Sequence, residues 1–238
     1  MRVEIWTDIA CPWCYVGKAR FDKALEAFPH RDQVEVVHRS FELDPNRAPG
    51  DIQPVLTMLT KKYGMTQAQA QAGEENLGAQ AAAEGLEYRT RGRDHGNTFD
   101  MHRLLHFAKE QGKQDALIQL LYRANFAEER SVFAEGHERL VDLAVAAGLD
   151  ADAARAVLAD PAAYADEVRA DEREAAQLGA SGVPFFVLDR AYGVSGAQPA
   201  EVFAQALAQA WAERSPLKLI DEGAAEACGP DGCAVPQP

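Results

Sequence analysis

The chain has 238 residues and a formal net charge of −13, from 24 Lys and Arg against 37 Asp and Glu. This length allows a full buried core without help from disulfides or metals. Because the acidic residues are spread along the chain and phosphate binding needs clustered cations, the composition argues against a nucleic-acid partner. The sequence starts in a strand pattern without a basic and apolar leader, and no stretch approaches the roughly 20 apolar residues of a membrane span. We therefore expect a cytoplasmic protein with no membrane partner.

The first fifty residues predict the order strand, helix, strand. Residues 3–7 have the amphipathic pattern of a short strand. The helix that follows carries apolar residues at i, i+3, i+4 and i+7, which are Phe21, Ala24, Leu25 and Phe28. Residues 34–41 are rich in valine and precede a turn-forming Asp-Pro-Asn sequence, so we predict a second strand there.

The remainder of the chain divides into a helical block, a short strand region and a tail. Residues 52–178 are rich in Ala, Gln and Glu and repeat helical spacing, which predicts a helical insertion. Residues 183–188 and 192–195 predict two strands, and the apolar spacing over 203–211 predicts a closing helix. Residues 215–238 have little capacity to bury apolar area and are predicted to form a flexible tail.

The sequence Cys11-Pro12-Trp13-Cys14 falls between the first predicted strand and the first predicted helix. A sulfur at a helix N-terminus is favoured as the thiolate, which is the reactive form. We predict Cys11 as the nucleophile and Cys14, one helical turn inside, as the thiol that resolves a mixed disulfide. Pro12 pre-shapes the first helical turn, and Trp13 is a candidate cover for the sulfurs or a substrate contact. Two inert buried cysteines, or half of a zinc site, are the alternatives.

A second signal lies before the late apolar strand, at Ser181-Gly182-Val183-Pro184. A cis proline there would end a loop and expose backbone groups to a substrate. An ordinary proline at the start of a strand is the alternative reading.

These motifs in combination resemble the DsbA family of thioredoxin-like oxidoreductases over about residues 2–211, and within it the FrnE-like cytoplasmic subgroup. The resemblance implies an α/β thioredoxin-like fold, strand-helix-strand followed by strand-strand-helix, with a large all-helical insertion. It places the thioredoxin-like domain at residues 1–47 and 180–214 and the insertion at 48–179.

The same resemblance assigns roles to single positions. It puts the nucleophile on Cys11, the resolving thiol on Cys14, and the cis-proline, whose preceding backbone holds the substrate chain, on Val183-Pro184. The best-known members of the family are exported oxidants with His where this chain has Trp13. Oxidation, reduction and isomerisation of disulfides therefore all stay open.

Three further features of the sequence have less specific readings. Residues 95–103 resemble a helix start that faces the active site in glutathione-using kappa-class transferases and chromene-carboxylate isomerases, so Asn97 is a candidate substrate contact or simply a helix cap. His102 and His106 share a helix face, but Arg103 stands where a zinc protease needs Glu, and we predict surface histidines and no metal. The acidic residues 166–174 are predicted to form a solvated helix face.

Cys228 and Cys233 form a second pair, separated by a Gly/Pro-rich turn that can bring two sulfurs close together. Our hypothesis is a second redox pair that exchanges with Cys11 and Cys14 or protects them. Unpaired tail thiols and metal binding are the alternatives.

The leading function is a thiol-disulfide oxidoreductase or isomerase that acts on protein disulfides or dithiols and whose chemistry requires no cofactor. Glutathione and the thioredoxin system are candidate electron partners, and the Ala-rich insertion is a candidate homodimer face. The first alternative is a glutathione-dependent kappa-like isomerase or transferase, for which one activating Ser or Cys suffices. The second is a redox-sensing holdase, in which oxidation exposes a binding surface.

Overall fold

A computed structural model describes residues 1–134 and 136–214 of the chain. The predictions for Cys228 and Cys233, and for the tail, lie outside the described residues. The described part begins as predicted, with strand β1 (Arg2–Thr7), helix α1 (Pro12–Glu26) and strand β2 (Glu35–Ser40). The Val-rich segment therefore forms a strand one residue shorter at each end than its sequence pattern.

The block between β2 and the later strands is mainly helical. In chain order it contains β3 (Gln53–Pro54), α2 (Val55–Tyr63), α3 (Gln67–Ala83), β4 (Asp94–His95), α4 (Phe99–Glu110), α5 (Gln114–Phe126), α6 (Glu138–Ala146), α7 (Ala151–Ala159) and α8 (Ala165–Gln177). The two-residue strands β3 and β4 pair with each other as an antiparallel ladder, which the helical periodicity did not predict.

The chain closes with strands β5 (Phe185–Leu188) and β6 (Tyr192–Ser195) and helix α9 (Ala200–Ala212). The four longer strands form one mixed sheet in the order β2-β1-β5-β6. Strand β1 pairs in parallel with β2 and antiparallel with β5, so it lies inside the sheet. Its C-terminal end, where the dithiol follows, is therefore held by neighbours on both sides.

Alternate side chains of β1 face different layers, as the period of a strand requires. Val3 and Ile5 pack against α1 and α9 on one face, in a core with Phe21 and Phe203. Trp6 faces the other way and donates a hydrogen bond of 2.8 Å from its indole nitrogen to the Asp171 carbonyl in α8. Both faces of the central strand are thus covered.

The acidic helix α8 corrects one prediction, because Asp171 is buried and not part of a solvated face. Its carboxylate accepts hydrogen bonds from Arg39 at 2.9 Å and from the Ser40 amide at 2.8 Å, and lies 3.2 Å from the His106 ring. Burial alone would raise the pKa of Asp171, but His106 and these donors hold it below its ordinary value. The burial of this carboxylate follows from partners on β2 and α4 that no local pattern reveals.

The histidines of α4 correct a second prediction. We expected His102 and His106 on the surface, but both are buried. Their shared face of α4 is the inner one, where Asp171 accompanies His106 and Asp8 lies 3.5 Å from the His102 ring.

Among the described helices, none has the length and apolar character that crossing a bilayer requires.

Candidate active site at two cysteines

The dithiol lies at the junction between the end of β1 and the start of α1. Cys11 is the N-cap residue of α1 and Pro12 occupies the first helical position. The Cys11 amide donates to the Asp8 carbonyl at 3.1 Å, and the Cys14 amide donates to the Cys11 carbonyl at 3.0 Å. Both cysteines are free thiols, with exposed fractions of 4% for Cys11 and 1% for Cys14.

The loop before β5 meets the dithiol from the opposite end of the sequence. The Val183-Pro184 peptide bond is cis, as the sequence signal suggested, and the Cys11 thiol lies 3.5 Å from the Val183 carbonyl oxygen. The Pro184 ring packs on α1 at Gly17, where an added Cβ would lie only 2.9 Å from the ring. The fold therefore brings two motifs that are 172 residues apart into contact.

The two sulfurs have different surroundings. Burial raises the pKa of the Cys14 thiol, and the adjacent Cys11 sulfur raises it further, whereas the neighbouring Thr7 hydroxyl and Asp8 backbone lower it. Cys11, by contrast, lines an adjacent cavity that Cys14 does not line. An incoming disulfide therefore reaches Cys11 before Cys14.

The cavity beside Cys11 has a volume of about 400 Å³, within the usual range for small-ligand sites. Pro12, Trp13 and Val183 form the side next to the sulfur, and Trp13 is 39% exposed. Helices α2 and α3 and their linker form the apolar wall with Val55, Met58, Leu59, Met65, Ala70 and Leu77. Sequence reasoning missed this wall, because an amphipathic period does not distinguish a core-facing side from a cavity-facing side.

Two charged side chains that line the cavity, Glu74 and Arg93, neutralise each other in an ion pair. Arg93 lies 2.5 Å from a Glu74 oxygen, and the Tyr88 hydroxyl donates to the same oxygen at 3.1 Å. The Nε2 atom of His95 is buried and has no hydrogen-bond partner in the described part of the chain. Burial lowers the pKa of His95, so its ring is neutral near pH 7 and offers a polar contact to a bound molecule.

Comparison with known proteins agrees with this architecture. The model of the DSBA-like thioredoxin domain matches residues 2–208. The chain belongs to the DSBA-like thioredoxin family. A probable DsbA oxidoreductase from Streptomyces coelicolor, known from its crystal structure, is 80% identical, with a TM-score of 0.91 and complete coverage of both chains. The predicted family and the predicted thioredoxin-like α/β fold are confirmed, and this DSBA-like chain is a thiol oxidoreductase in the general sense of its family.

Two more distant relatives match the chain, one by sequence and one by structure. The uncharacterized protein YwbO from Bacillus subtilis is 28% identical over 208 residues, which are 87% of this chain and 96% of YwbO. The cytosolic disulfide reductase DsbM from Pseudomonas aeruginosa, solved with GSH, is 18% identical with a TM-score of 0.60, over 88% of this chain and 98% of DsbM. At that identity the likeness to DsbM concerns the fold alone.

In this DSBA-like chain the loop that carries Cys11 is anchored by a buried carboxylate. Asp8 accepts hydrogen bonds from the Leu43 amide at 2.7 Å and the Ala10 amide at 3.2 Å. Burial alone would raise the pKa of Asp8, but the His102 ring and these amides hold it below the ordinary value of 3.8. Asp8 is thus ionised at neutral pH and fixes the turn before the dithiol.

We expect Asp8→Asn to lower the free energy of unfolding by about 1–3 kcal/mol at pH 7, because a buried charge-assisted anchor is lost. A carboxyl whose pKa is lowered by folding stabilises the protein above its unfolded-state pKa near 3.8, and loses that contribution as the pH falls toward its folded-state pKa. Urea unfolding at pH 7 and at about pH 3 should therefore show a smaller difference between the two proteins in acid. An equal difference at both pH values would contradict this role.

The structure does not bring every predicted site residue to the cysteines. The Asn97 side chain donates to the Arg47 carbonyl at 2.8 Å and accepts from the Phe99 amide at 2.9 Å. These bonds favour the cap reading, since Asn97 satisfies an amide at the start of α4. Asn97 lines a separate cavity of about 240 Å³ next to α4 and not the one beside Cys11.

Proposed function

We propose that this chain catalyses thiol–disulfide exchange on protein disulfides through Cys11 and Cys14. The observation that supports this proposal most strongly is a difference in position between the two sulfurs. Cys11 lines the cavity at the N-terminus of α1, while Cys14 lies buried behind it. Attack from the accessible sulfur and resolution from the inner one follow from this arrangement. The proposal includes a location in the cytoplasm, as for the cytosolic DsbM that shares the fold.

The exchange proceeds in two steps that need only the dithiol. The Cys11 thiolate attacks one sulfur of the substrate disulfide, that bond breaks, and the departing thiolate takes up a proton. The Cys14 thiolate then attacks the Cys11 sulfur, which releases the second substrate thiol and leaves a Cys11–Cys14 disulfide. Two electrons pass to the substrate, and the reverse sequence oxidises a substrate dithiol.

The groups around Cys11 suit a substrate chain. The Val183 carbonyl lies 3.5 Å from the Cys11 sulfur, so the backbone of this loop is placed to hold an extended segment next to the reacting atom. Pro12 and Trp13 would contact the same segment from the helix side. The apolar wall of α2 and α3 would accept a bulky side chain near the substrate cysteine.

Glutathione is a second candidate for the same site. DsbM shares the fold and was solved with GSH. The cavity of about 400 Å³ has a size suited to a small molecule. Lys62 in α2 lines it; its ammonium lies 3.6 Å from an Asp44 oxygen and would turn from that partner to a glutathione carboxylate. In this reading glutathione, and not a protein, forms the mixed disulfide with Cys11.

The Cys14→Ala variant tests the proposal, because it leaves the mixed disulfide on Cys11 without a resolving thiol. It would be incubated separately with scrambled ribonuclease and with glutathione disulfide, and the adducts identified by mass under non-reducing conditions. An adduct with the protein substrate supports the main proposal, and an adduct with glutathione alone favours the second candidate. If neither adduct forms on Cys11, both are wrong; the Cys11→Ser, Cys14→Ala double variant is the control.

A further inference from the structure

Three buried side chains from different elements meet behind the redox centre. Thr7 ends β1, Cys14 lies in α1, and Tyr122 lies in α5, 115 residues after Thr7. The Thr7 and Tyr122 hydroxyls share a hydrogen bond. Cys14 and Tyr122 belong to the same buried cluster, and the Thr7 hydroxyl lies near enough to the Cys14 sulfur to lower the pKa of that thiol. The Thr7 hydroxyl therefore lies between the sulfur and the Tyr122 hydroxyl.

Resolution of the mixed disulfide requires a negative charge on the buried Cys14 sulfur. Cys14 has to attack as a thiolate, yet its burial disfavours the charged form. A buried anion is stabilised by the hydrogen bonds it accepts, because these replace the water that it has lost. The groups that meet the Cys14 sulfur should therefore influence the rate of resolution more than the rate of the first attack.

We propose that Thr7 and Tyr122 form a two-hydroxyl chain that stabilises the Cys14 thiolate while the mixed disulfide is resolved. The inference rests on the exchange reaction proposed above and assigns residues to its second step. In this proposal the Thr7 hydroxyl contacts the reacting sulfur and is a catalytic residue in this step. Tyr122 acts through Thr7 and is a positioning residue.

The direction of the chain follows from what each group can donate. A thiolate can only accept hydrogen bonds, so the Thr7 hydroxyl donates its hydrogen bond to the Cys14 sulfur. A lone pair of the same hydroxyl is then free to accept a hydrogen bond from Tyr122. Burial, with the nearby Cys14 sulfur, raises the pKa of Tyr122, so that its hydroxyl keeps its proton and remains a donor to Thr7. Donors aligned in this way polarise one another, which strengthens the bond to the charged sulfur.

The atoms of the step balance without any further reactant. Cys14 releases its proton to solvent and attacks the Cys11 sulfur, a bond between these sulfurs forms, and the Cys11–substrate bond breaks. The electron pair leaves on the substrate thiolate, which takes up a proton from solvent. The dithiol is oxidised by two electrons and the substrate disulfide is reduced by two.

Stopped-flow mixing with the chromogenic disulfide dithiobis-nitrobenzoate separates the two steps. All variants carry Cys228→Ser and Cys233→Ser, because the two tail thiols would also react with this reagent. The first equivalent of chromophore then reports the attack by Cys11 and the second reports resolution by Cys14, so Cys14→Ser should show only the first. In Thr7→Val we expect the second phase to slow ~10-fold at pH 7, because a hydrogen bond to a charged group is lost. Its pH profile should move to higher pH, while the first phase stays unchanged.

Two conservative variants distinguish this role from simple packing. Thr7→Ser keeps the hydroxyl and should restore the second phase, and Tyr122→Phe should slow it ~3-fold because only the outer donor is lost. The proposal is wrong if Thr7→Val slows both phases equally. It is also wrong if Thr7→Val and Tyr122→Phe both fold and both resolve the mixed disulfide at the wild-type rate. If Thr7→Val does not fold, wild-type resolution in Tyr122→Phe alone overturns it. Failure of the exchange proposal looks different, since Cys11→Ser would then retain the first phase.

Discussion

Replacement of Cys11 by serine is expected to reduce catalysed disulfide exchange by roughly 1,000-fold or more, to the uncatalysed rate, because a serine hydroxyl is not ionised near neutral pH and is a poor nucleophile there. The Cys11 sulfur is the one that lines the cavity, and Cys14 lies too deep to replace it. The measurement is reduction of insulin by dithiothreitol, followed alongside oxidative refolding of reduced ribonuclease. The faster of the two assays in the wild type would also establish the direction of the reaction.

Cys14→Ser is the matched control for this loss. It should keep the attack by Cys11 and fail in resolution, so single-turnover release from a model disulfide survives while turnover falls. Both serine variants should unfold in urea at midpoints close to that of the wild type. Turnover retained by Cys11→Ser would show that the reaction does not pass through this sulfur.

Gly17→Ala is expected to damage the site without touching a sulfur. The added Cβ would lie 2.9 Å from the Pro184 ring and 3.2 Å from the Ala197 Cβ, so the loop that carries the Val183 carbonyl has to move. Overpacking of this kind costs about 1–3 kcal/mol of folding free energy. Since displacement of a positioning group by about 1 Å can cost ~100-fold in rate, we expect turnover to fall 10- to 100-fold.

The free energy of unfolding and insulin reduction would both be measured for this variant. Gly73→Ala supplies the control for stability, since an added Cβ there approaches only the Met65 methyl, at 4.0 Å. That replacement should stabilise the protein by about 0.5–1 kcal/mol through helix propensity alone. A Gly17→Ala protein as stable as Gly73→Ala and fully active would show that the contact with Pro184 does not hold the loop in place.

The parts of the fold that depend on local sequence could be predicted. The dithiol opens a helix directly after a strand, and the Val183-Pro184 signal stands directly before one. Each of these patterns is complete within a few neighbouring residues, so it can be identified without knowledge of the fold. The order of the elements followed for the same reason, since strand and helix periods are local properties.

The parts that failed depend on contacts between distant segments. Asp171 belongs to an acidic stretch that resembles a solvated helix face, and its burial is explained only by partners on other elements, such as Arg39 and His106. His102 is buried beside Asp8 on the same basis. The pairing of Thr7 with Tyr122 has no local signature either, because each residue taken alone is an ordinary strand or helix residue.

The apolar wall of the cavity and its sulfur come from separate stretches of the chain. The Cys11 sulfur lies at the N-terminus of α1, beside the loop before β5, whereas α2 and α3 supply most of the apolar lining. If the proposed exchange takes place here, reactivity and selectivity are encoded in different segments. Substitutions at Met58 or Leu77 should then change which substrates are preferred and leave the electron-transfer chemistry intact, so these two helices are the natural place to diversify a library of redox catalysts.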